Sequence, residues 1–289
     1  MKTELNFWVV GGDMRQVKLA QLLCEDGHTV HTYALALAPS LPGTAEESLQ
    51  EAALADCVVL PLPVEGEGSL LNAPLSAGRH PLAEILTPLR PGQIICAGRV
   101  TRTAANLAAE RGLVLCDYFA REELAVANAV PTAEGAIQIA LEELPITLHS
   151  AKVLVIGYGR VGKLTAHRLT GLGAQVTIAA RKYADLAWAE AMGYGVKQTG
   201  ALLGSLSGYD LIISTVPARV LSERELRDLR PGALVIDLAS KPGGVDFEGA
   251  AALGVKVIWA LSLPGKVAPE TAGRSIRNTV YNILSELGV

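Results

Sequence analysis

Short, unbroken apolar runs, parted by glycine turns and amphipathic stretches, recur along the chain. LNFWVV (5–10), KVLVIG (152–157) and DLIIST (210–215) show no polar alternation. That is the pattern of parallel strands buried on both faces. The runs also recur in order. LNFWVVGGDMRQVKLAQLLCEDGHTVHTYA (5–34) parallels AKVLVIGYGRVGKLTAHRLTGLGAQVTIAA (151–180): strand, glycine turn, amphipathic helix, glycine, strand. Gly11 and Gly157 are spaced as Gly27 and Gly173 are. ADCVVLPLPV (55–64) answers YDLIISTVPA (209–218), PLRPGQIICAG (88–98) answers DLRPGALVIDLAS (228–240), and RGLVLCD (111–117) answers LGVKVIWA (253–260). The expected fold class is α/β: two consecutive doubly wound Rossmann-like domains with an interdomain cleft.

The expected boundaries follow. Residues 1–130 form the first domain, 131–150 a linking helix, 151–267 the second domain, and 268–289 a helix returning to the first. In PTAEGAIQIALEELPITLHS, Thr132 is the expected N-cap, Ile137, Ala140, Leu141 and Leu144 follow at helical spacing, and Pro145 ends the helix. In the tail, Ile276, Val280, Ile283, Leu284 and Leu287 fall on one helical face, with apolar positions to spare for a homo-oligomer contact.

Composition narrows the class. Half of the 289 residues are hydrophobic and 4% aromatic, which suits aliphatic cores; a net charge of −4 gives no reason to expect nucleic acid or an anionic membrane as partner. Cys24, Cys57, Cys96 and Cys116 have neither C-x-x-C spacing nor a histidine cluster, so buried reduced thiols are expected rather than disulfides or a metal site. The opening MKTELNFWVVGGD is too short an apolar run for a signal peptide, and no stretch reads as the roughly 20 apolar residues of a membrane span. A cytoplasmic protein is expected.

Gly157-Tyr158-Gly159-Arg160-Val161-Gly162 follows a strand and opens a helix, the context in which G-x-G-x-x-G holds a dinucleotide. The first glycine permits the tight turn, the second the approach of the pyrophosphate, and the third close helix–strand packing. The free N–H groups and partial positive charge of the helix start favour the phosphates. An NAD-type site carries an acidic residue after the second strand, for the ribose 2′-hydroxyl; here AQVTIAARKYAD offers Ala180, Arg181 and Lys182. A guanidinium suits a 2′-phosphate, so NADP(H) is the expected cofactor, with Lys182 and Arg160 in support. Thr215, Val216 and Pro217, in STVPA, and Asp237, in VIDLASKPGG, end strands at the same expected rim.

The first glycine turn, GGDMRQ, has diverged. Asp13 would oppose a pyrophosphate, so this copy is expected on the substrate side, with Gly12, Arg15 and Gln16 at a helix start able to receive a carboxylate. A plain helix cap at Asp13 with a solvated Arg15 is the competing reading.

Taken together, VVGGDMRQ, NAVPTAEGAIQIAL, VIGYGRVGKLTA, LASKPGGVDF and ALSLPGKVAPETAG resemble the family of dipicolinate synthase A subunits along nearly the whole chain. The resemblance implies one component of a heteromeric oxidoreductase, whose other component is a flavoprotein-like B subunit. It implies oxidation of a dihydrodipicolinate-type intermediate to dipicolinate with NADP⁺, in the mother-cell cytoplasm of a sporulating bacterium. Such a small dicarboxylate substrate calls for cationic or N–H-rich partners, for which Arg15, the helix start near Thr132, and Lys266 are the candidates. A general base is also needed, and Asp13, Glu134 and Glu270 are alternatives. The histidines, His28, His31, His80, His149 and His167, do not match the catalytic position of 2-hydroxyacid dehydrogenases, which weakens that relative of the fold as an alternative. A nucleotide-binding subunit without turnover of its own is the other.

Overall fold

The computed structural model describes residues 4–39, 41, 44–46 and 48–289; Met1–Thr3, within the opening run considered for a signal peptide, lie outside the described residues. The chain divides into two compact units, Met1–Asn128 with Pro264–Val289, and Ala129–Leu263.

The first unit holds a parallel sheet of β1 (Asn6–Val10), β2 (Thr29–Tyr33), β3 (Thr44–Glu46), β4 (Cys57–Val59), β5 (Ile94–Ala97) and β6 (Leu115–Asp117), in the order β3-β2-β1-β4-β5-β6. Helices α1 (Met14–Glu25), α2 (Leu82–Leu86) and α3 (Arg102–Ala109) lie between strands in sequence. Phe7 and Val9 face one apolar cluster and Trp8 and Val10 another. Side chains alternate across a strand, so both faces are covered, and the lack of polar alternation in LNFWVV is the consequence.

Helix α4 (Glu122–Glu143) follows, and the boundary between the units falls inside it. It begins well before the expected linking helix and contains Pro131, so Thr132 is an interior helical residue and not an N-cap. Glu122 and Glu123 in the first turn complement the helix dipole at the true start. The helix ends at Glu143, before Pro145. It is long and apolar enough to cross a membrane by length and composition alone; Leu124, Ala129, Ala133, Ala136 and Ala140 are buried as in the core helix of a folded unit.

The second unit repeats the plan with β7 (Lys152–Ile156), β8 (Gln175–Ala180), β9 (Gly195–Gln198), β10 (Leu211–Ser214), β11 (Leu234–Asp237) and β12 (Lys256–Trp259). The order, β9-β8-β7-β10-β11-β12, is that of the first sheet with corresponding strands in corresponding places. Its helices are α5 (Arg160–Gly171), α6 (Tyr183–Ala191), α7 (Glu223–Leu226) and α8 (Phe247–Leu253).

After β12 come α9 (Leu263–Val267) and α10 (Pro269–Glu286). Pro264 onward belongs to the first unit, so Lys266 stands there and not in the second domain, where the expected boundary had put it. Helix α10 packs on α1 closely enough that a Cβ on Gly273 would lie 2.9 Å from the Arg15 carbonyl oxygen. Ile276, Val280, Ile283 and Leu284 are buried in this contact; Leu287 lies beyond the helix end and is exposed. Of the five apolar positions expected on one face, Leu287 alone is left exposed. Tyr281 donates to Asp26 Oδ2 at 2.7 Å, and Arg277 Nη1 donates to the same oxygen at 3.1 Å.

Removal of the Ile276 side chain beyond Cβ tests how much α10 contributes to the first unit. Ile276→Ala is expected to cost about 2–5 kcal/mol, read as a lowered denaturant midpoint at an unchanged slope.

Candidate functional site

The carboxyl edge of the second sheet is built around one glycine turn. Gly157, at φ +100°, leaves β7, and a Cβ there would lie 2.3 Å from Thr215 Oγ1. Thr215 Oγ1 donates to the Ile156 carbonyl at 2.9 Å, so this hydroxyl ties the turn to the end of β10. A Cβ on Gly162 would sit 2.1 Å from the Gly157 carbonyl oxygen, which only glycine allows. Helix α5 thus starts flush against the strand. A Cβ on Gly159 would meet nothing within 4 Å, and no side chain caps the first N–H groups of α5. Open space before uncapped donors is what a pyrophosphate requires. The residues fit a dinucleotide.

The side chains of the turn divide by role. Tyr158 is buried, edge-on to Tyr194 at 6.2 Å between ring centroids, with Lys163 Nζ 5.4 Å from its own ring centre. Burial pushes the Tyr158 phenol up from its ordinary range. Its side chain therefore holds the turn in place, and only its backbone remains for a ligand. Arg160 is exposed and Val161 half-buried. Strand β8, hydrogen-bonded beside β7, ends at the buried Ala179 and Ala180; Arg181 and Lys182 follow, both exposed, with Lys182 at the N-cap of α6. At this strand end the chain carries two cations and no carboxylate.

Asp237 departs from the expected cofactor contact. It is fully buried at the end of β11, where its carboxylate accepts the N–H groups of Ala239 at 3.1 Å and Gly244 at 2.7 Å. Burial raises its pKa, and these backbone donors act in the opposite direction. Asp237 folds the SKPGG loop back toward β10: a Cβ on Gly244 would lie 2.3 Å from Ser214 Oγ and 2.8 Å from the Val216 carbonyl. Val216 is half-buried beneath this loop, and Pro217 is exposed. The glycine pair in the sequence hinted at such a close approach; the backbone acceptor role of Asp237 was not readable.

In the first unit the diverged turn is closed on itself. Asp13 caps α1 through the Arg15 N–H at 3.0 Å and pairs with the Arg15 guanidinium at 2.8 Å. Arg15 is 7% exposed, and its Nη2 also donates to the Leu62 carbonyl at 2.5 Å. Neither competing expectation survives intact: Asp13 does cap, but Arg15 is buried rather than solvated. As placed, Arg15 holds Asp13 and the chain after β4 together. Gln16 is buried, with Nε2 3.5 Å from the Val59 carbonyl, and packs under Gly12, where a Cβ would clash with its Cγ at 2.2 Å. A Cβ on Gly265 of α9 would approach Arg15 Nε to 3.0 Å, so exposed Lys266 is carried next to this turn.

Thr132, lacking a helix start, offers no free N–H cluster. Glu134 Oε1 accepts from Arg168 Nε at 3.2 Å, roughly 12 Å along α5 from its first residue. Glu270 pairs with Arg274 at 2.8 Å. Each carboxylate considered as a base therefore has an arginine partner. One pair went unnoticed in the sequence: Ser76 Oγ and His80 Nε2 are 2.8 Å apart in the loop that also supplies the Asn72 carbonyl to the Gly12 N–H. Its signal, a serine four residues before a histidine, is too common to single out.

Two family models meet near the boundary inside α4, and the second also takes in the terminal helix that packs with the first unit. Residues 6–119 match the N-terminal domain of the dipicolinate synthase A subunit, and residues 123–288 the alanine dehydrogenase/PNT C-terminal domain. The chain is 31% identical to the dipicolinate synthase A subunit of Bacillus subtilis (strain 168), over 99% of this chain and 98% of that one. The chain belongs to the family of dipicolinate synthase A subunits. Two solved structures agree. The dipicolinate synthase A chain from Bacillus subtilis matches with a TM-score of 0.88 at 31% identity, covering 100% of this chain and 98% of that one. The dipicolinate synthase A subunit from Bacillus halodurans matches with a TM-score of 0.89 at 29% identity, covering 97% of each. Membership supports an oxidoreductase role, and the second unit is of a class that binds nicotinamide nucleotides. The family's designation as one lettered component of a synthase implies a partner component.

Two glycine substitutions separate ligand binding from folding. Gly159→Ala is expected to leave the melting temperature near wild type while weakening nicotinamide dinucleotide binding at least about 10-fold, because the new methyl occupies only the phosphate's space. Gly162→Ala is expected to lower both. Thermal melts paired with fluorescence titration of the reduced nucleotide read the difference.

Proposed function

We propose that the chain is the NADP-dependent A subunit of dipicolinate synthase, oxidising a dihydrodipicolinate-type intermediate to pyridine-2,6-dicarboxylate together with a flavoprotein-like B subunit. The observation that supports NADP over NAD is the end of β8, where exposed Arg181 and Lys182 stand in place of the carboxylate that would bind a free 2′-hydroxyl. A carboxylate there would repel a 2′-phosphate, whereas a guanidinium donates to its oxygens in pairs. Arg160 adds a third cation from the turn.

Aromatisation of a dihydropyridine removes one hydride and one proton from the ring. The oxidised nicotinamide, when bound, supplies the hydride acceptor. The ring proton passes to solvent water, since Asp13, Glu134 and Glu270 are each paired with an arginine, and the chain's own contribution is positional. The Gly157–Gly162 turn fixes the pyrophosphate, and Arg181 and Lys182 fix the ribose phosphate. Asp237 holds the loop at the neighbouring strand end. On the first unit, exposed Lys266 is a cation offered to a substrate carboxylate beside the diverged turn, and Arg15 keeps that turn in shape. Sporulation and the mother-cell cytoplasm are the setting that this reading carries with it.

The cofactor assignment is tested by Arg181→Asp. The ratio of NADPH to NADH affinity is expected to fall by about two orders of magnitude, since an attractive charge-assisted pair becomes a repulsive one. Turnover, with the dihydro intermediate and NADP⁺, is measured with and without the B subunit. An unchanged ratio sinks the NADP assignment, and tight binding with no turnover in either setting sinks the enzymatic one.

A further inference from the structure

The second unit holds a polar cavity that the nucleotide turn does not use. It has a volume of about 580 Å³ and opens beside the edge strand β9, with Lys152, Thr177, Gly195, Lys197, Ser205 and Tyr209 among its walls. The sheet register brings these residues together. Side chains alternate across a strand, so Lys152 shares a face with Leu154, and Thr177 with Ala179, both members of one apolar cluster. Gly195 and Lys197 pair in register with Thr177 and Ala179, and stand on that same face. The chain between β9 and β10 crosses it, with Leu206 and Tyr209 packed into the cluster. Lys152 opens β7, at the end remote from Gly157.

The walls carry two cations and no carboxylate. Neither ammonium is paired with an acid among the described residues. Nearby acids are engaged elsewhere. Asp210 accepts the Lys152 N–H at 2.7 Å and pairs with Arg230, and Asp228 Oδ2 accepts the Leu206 N–H at 2.8 Å. Helices α5 and α6 end beside the cavity, but the N–H groups of Gly173, Ala174, Gly193 and Tyr194 take up their last carbonyls. Gly195 contributes space. Its φ is not positive, so the backbone does not demand glycine, yet a Cβ there would lie 2.9 Å from Thr177 Oγ1. The half-buried Thr177 hydroxyl is thereby left open, with no protein partner among the described residues.

We propose that this cavity binds a small organic dianion, a dicarboxylate, with one carboxylate at each lysine and the Thr177 hydroxyl donating between them. Spacing supports a two-ended ligand. Lys152 is registered with Gln175 and Lys197 with Ala179, four residues further along β8 and one strand beyond it. Their Cα atoms are therefore roughly 16 Å apart, and the two long side chains line the space between. A compact anion such as inorganic phosphate engages one end, whereas an extended dianion engages both through charge-assisted hydrogen bonds. The volume lies in the range of small-molecule pockets. The ligand class follows from this cavity alone and does not rest on the cofactor or the reaction proposed above.

The test is calorimetric titration of the full chain with glutarate, a dicarboxylate, and in parallel with butyrate and inorganic phosphate. Glutarate is expected to bind with a dissociation constant at or below about 1 mM, and the other two at least about 10-fold more weakly. Lys152→Gln is the decisive variant, because Ala179, the register partner of Lys197, lies only two residues before Arg181. It is expected to weaken glutarate at least about 10-fold by removing one charged donor, with NADPH affinity and melting temperature retained. Gly195→Val, which covers the Thr177 hydroxyl, is expected to weaken glutarate as much. Lys266→Gln, on the first unit, should change nothing. The proposal is overturned by a wild type that binds no glutarate at these concentrations, or that binds butyrate or phosphate as tightly. It is equally overturned by glutarate binding that ignores Lys152 and Gly195, including binding that follows Lys266 instead.

Discussion

One close approach governs the nucleotide end of the protein: Gly162 of α5 against the carbonyl oxygen of Gly157, where an added methyl would come within 2.1 Å. Because the helix starts flush with the strand, its uncapped N–H groups open at the carboxyl edge of the sheet, and Gly159 leaves the space before them empty. The remaining parts are arranged around that edge. Thr215 ties the neighbouring strand to the turn, Asp237 ties down the next loop, and Arg181 and Lys182 stand at the end of the strand on the other side. Backbone donors alone would attract any phosphate. On the proposed reading, it is the cations after β8 that would make the site selective.

The first unit shows what the same plan becomes when the turn is put to another use. GGDMRQ keeps its glycines, but Asp13 caps the helix and neutralises Arg15, and Arg15 in turn holds the Leu62 carbonyl. The helix start that is left uncapped in the second unit is here capped from within. An ion pair with one partner buried and the other half-buried gives little net stability, but it fixes the shape of its surroundings, since removing Asp13 strands the buried Arg15 charge. The turn thereby becomes a rigid wall beside Lys266 rather than a cradle.

Most of the architecture was legible because it was written twice. A run such as KVLVIG is ambiguous alone, but its recurrence in the same order with the same glycine spacing left few alternatives. The glycine turn was legible because each glycine has a separate steric reason. What escaped was long-range or ambiguous in sign. Pro131 fits a helix start and also a long helix that tolerates it, so Thr132 was misplaced as a cap. Arg15 looks exposed in sequence because the carbonyl it binds is distant along the chain. Asp237 looks like a ligand contact because nothing local reveals that two backbone N–H groups already occupy it. The terminal helix, expected to have apolar surface to spare, spends four of its five expected apolar positions on its own unit.

The central claim is that the second unit selects a phosphorylated ribose. Calorimetric titration of the wild-type chain with NADPH and, separately, NADH tests it most directly, with no dependence on substrate or a partner protein. The account predicts NADPH binding at least about 10-fold tighter. It also predicts that the preference shrinks as salt screens the cations. Equal affinities, or tighter binding of NADH, would contradict it.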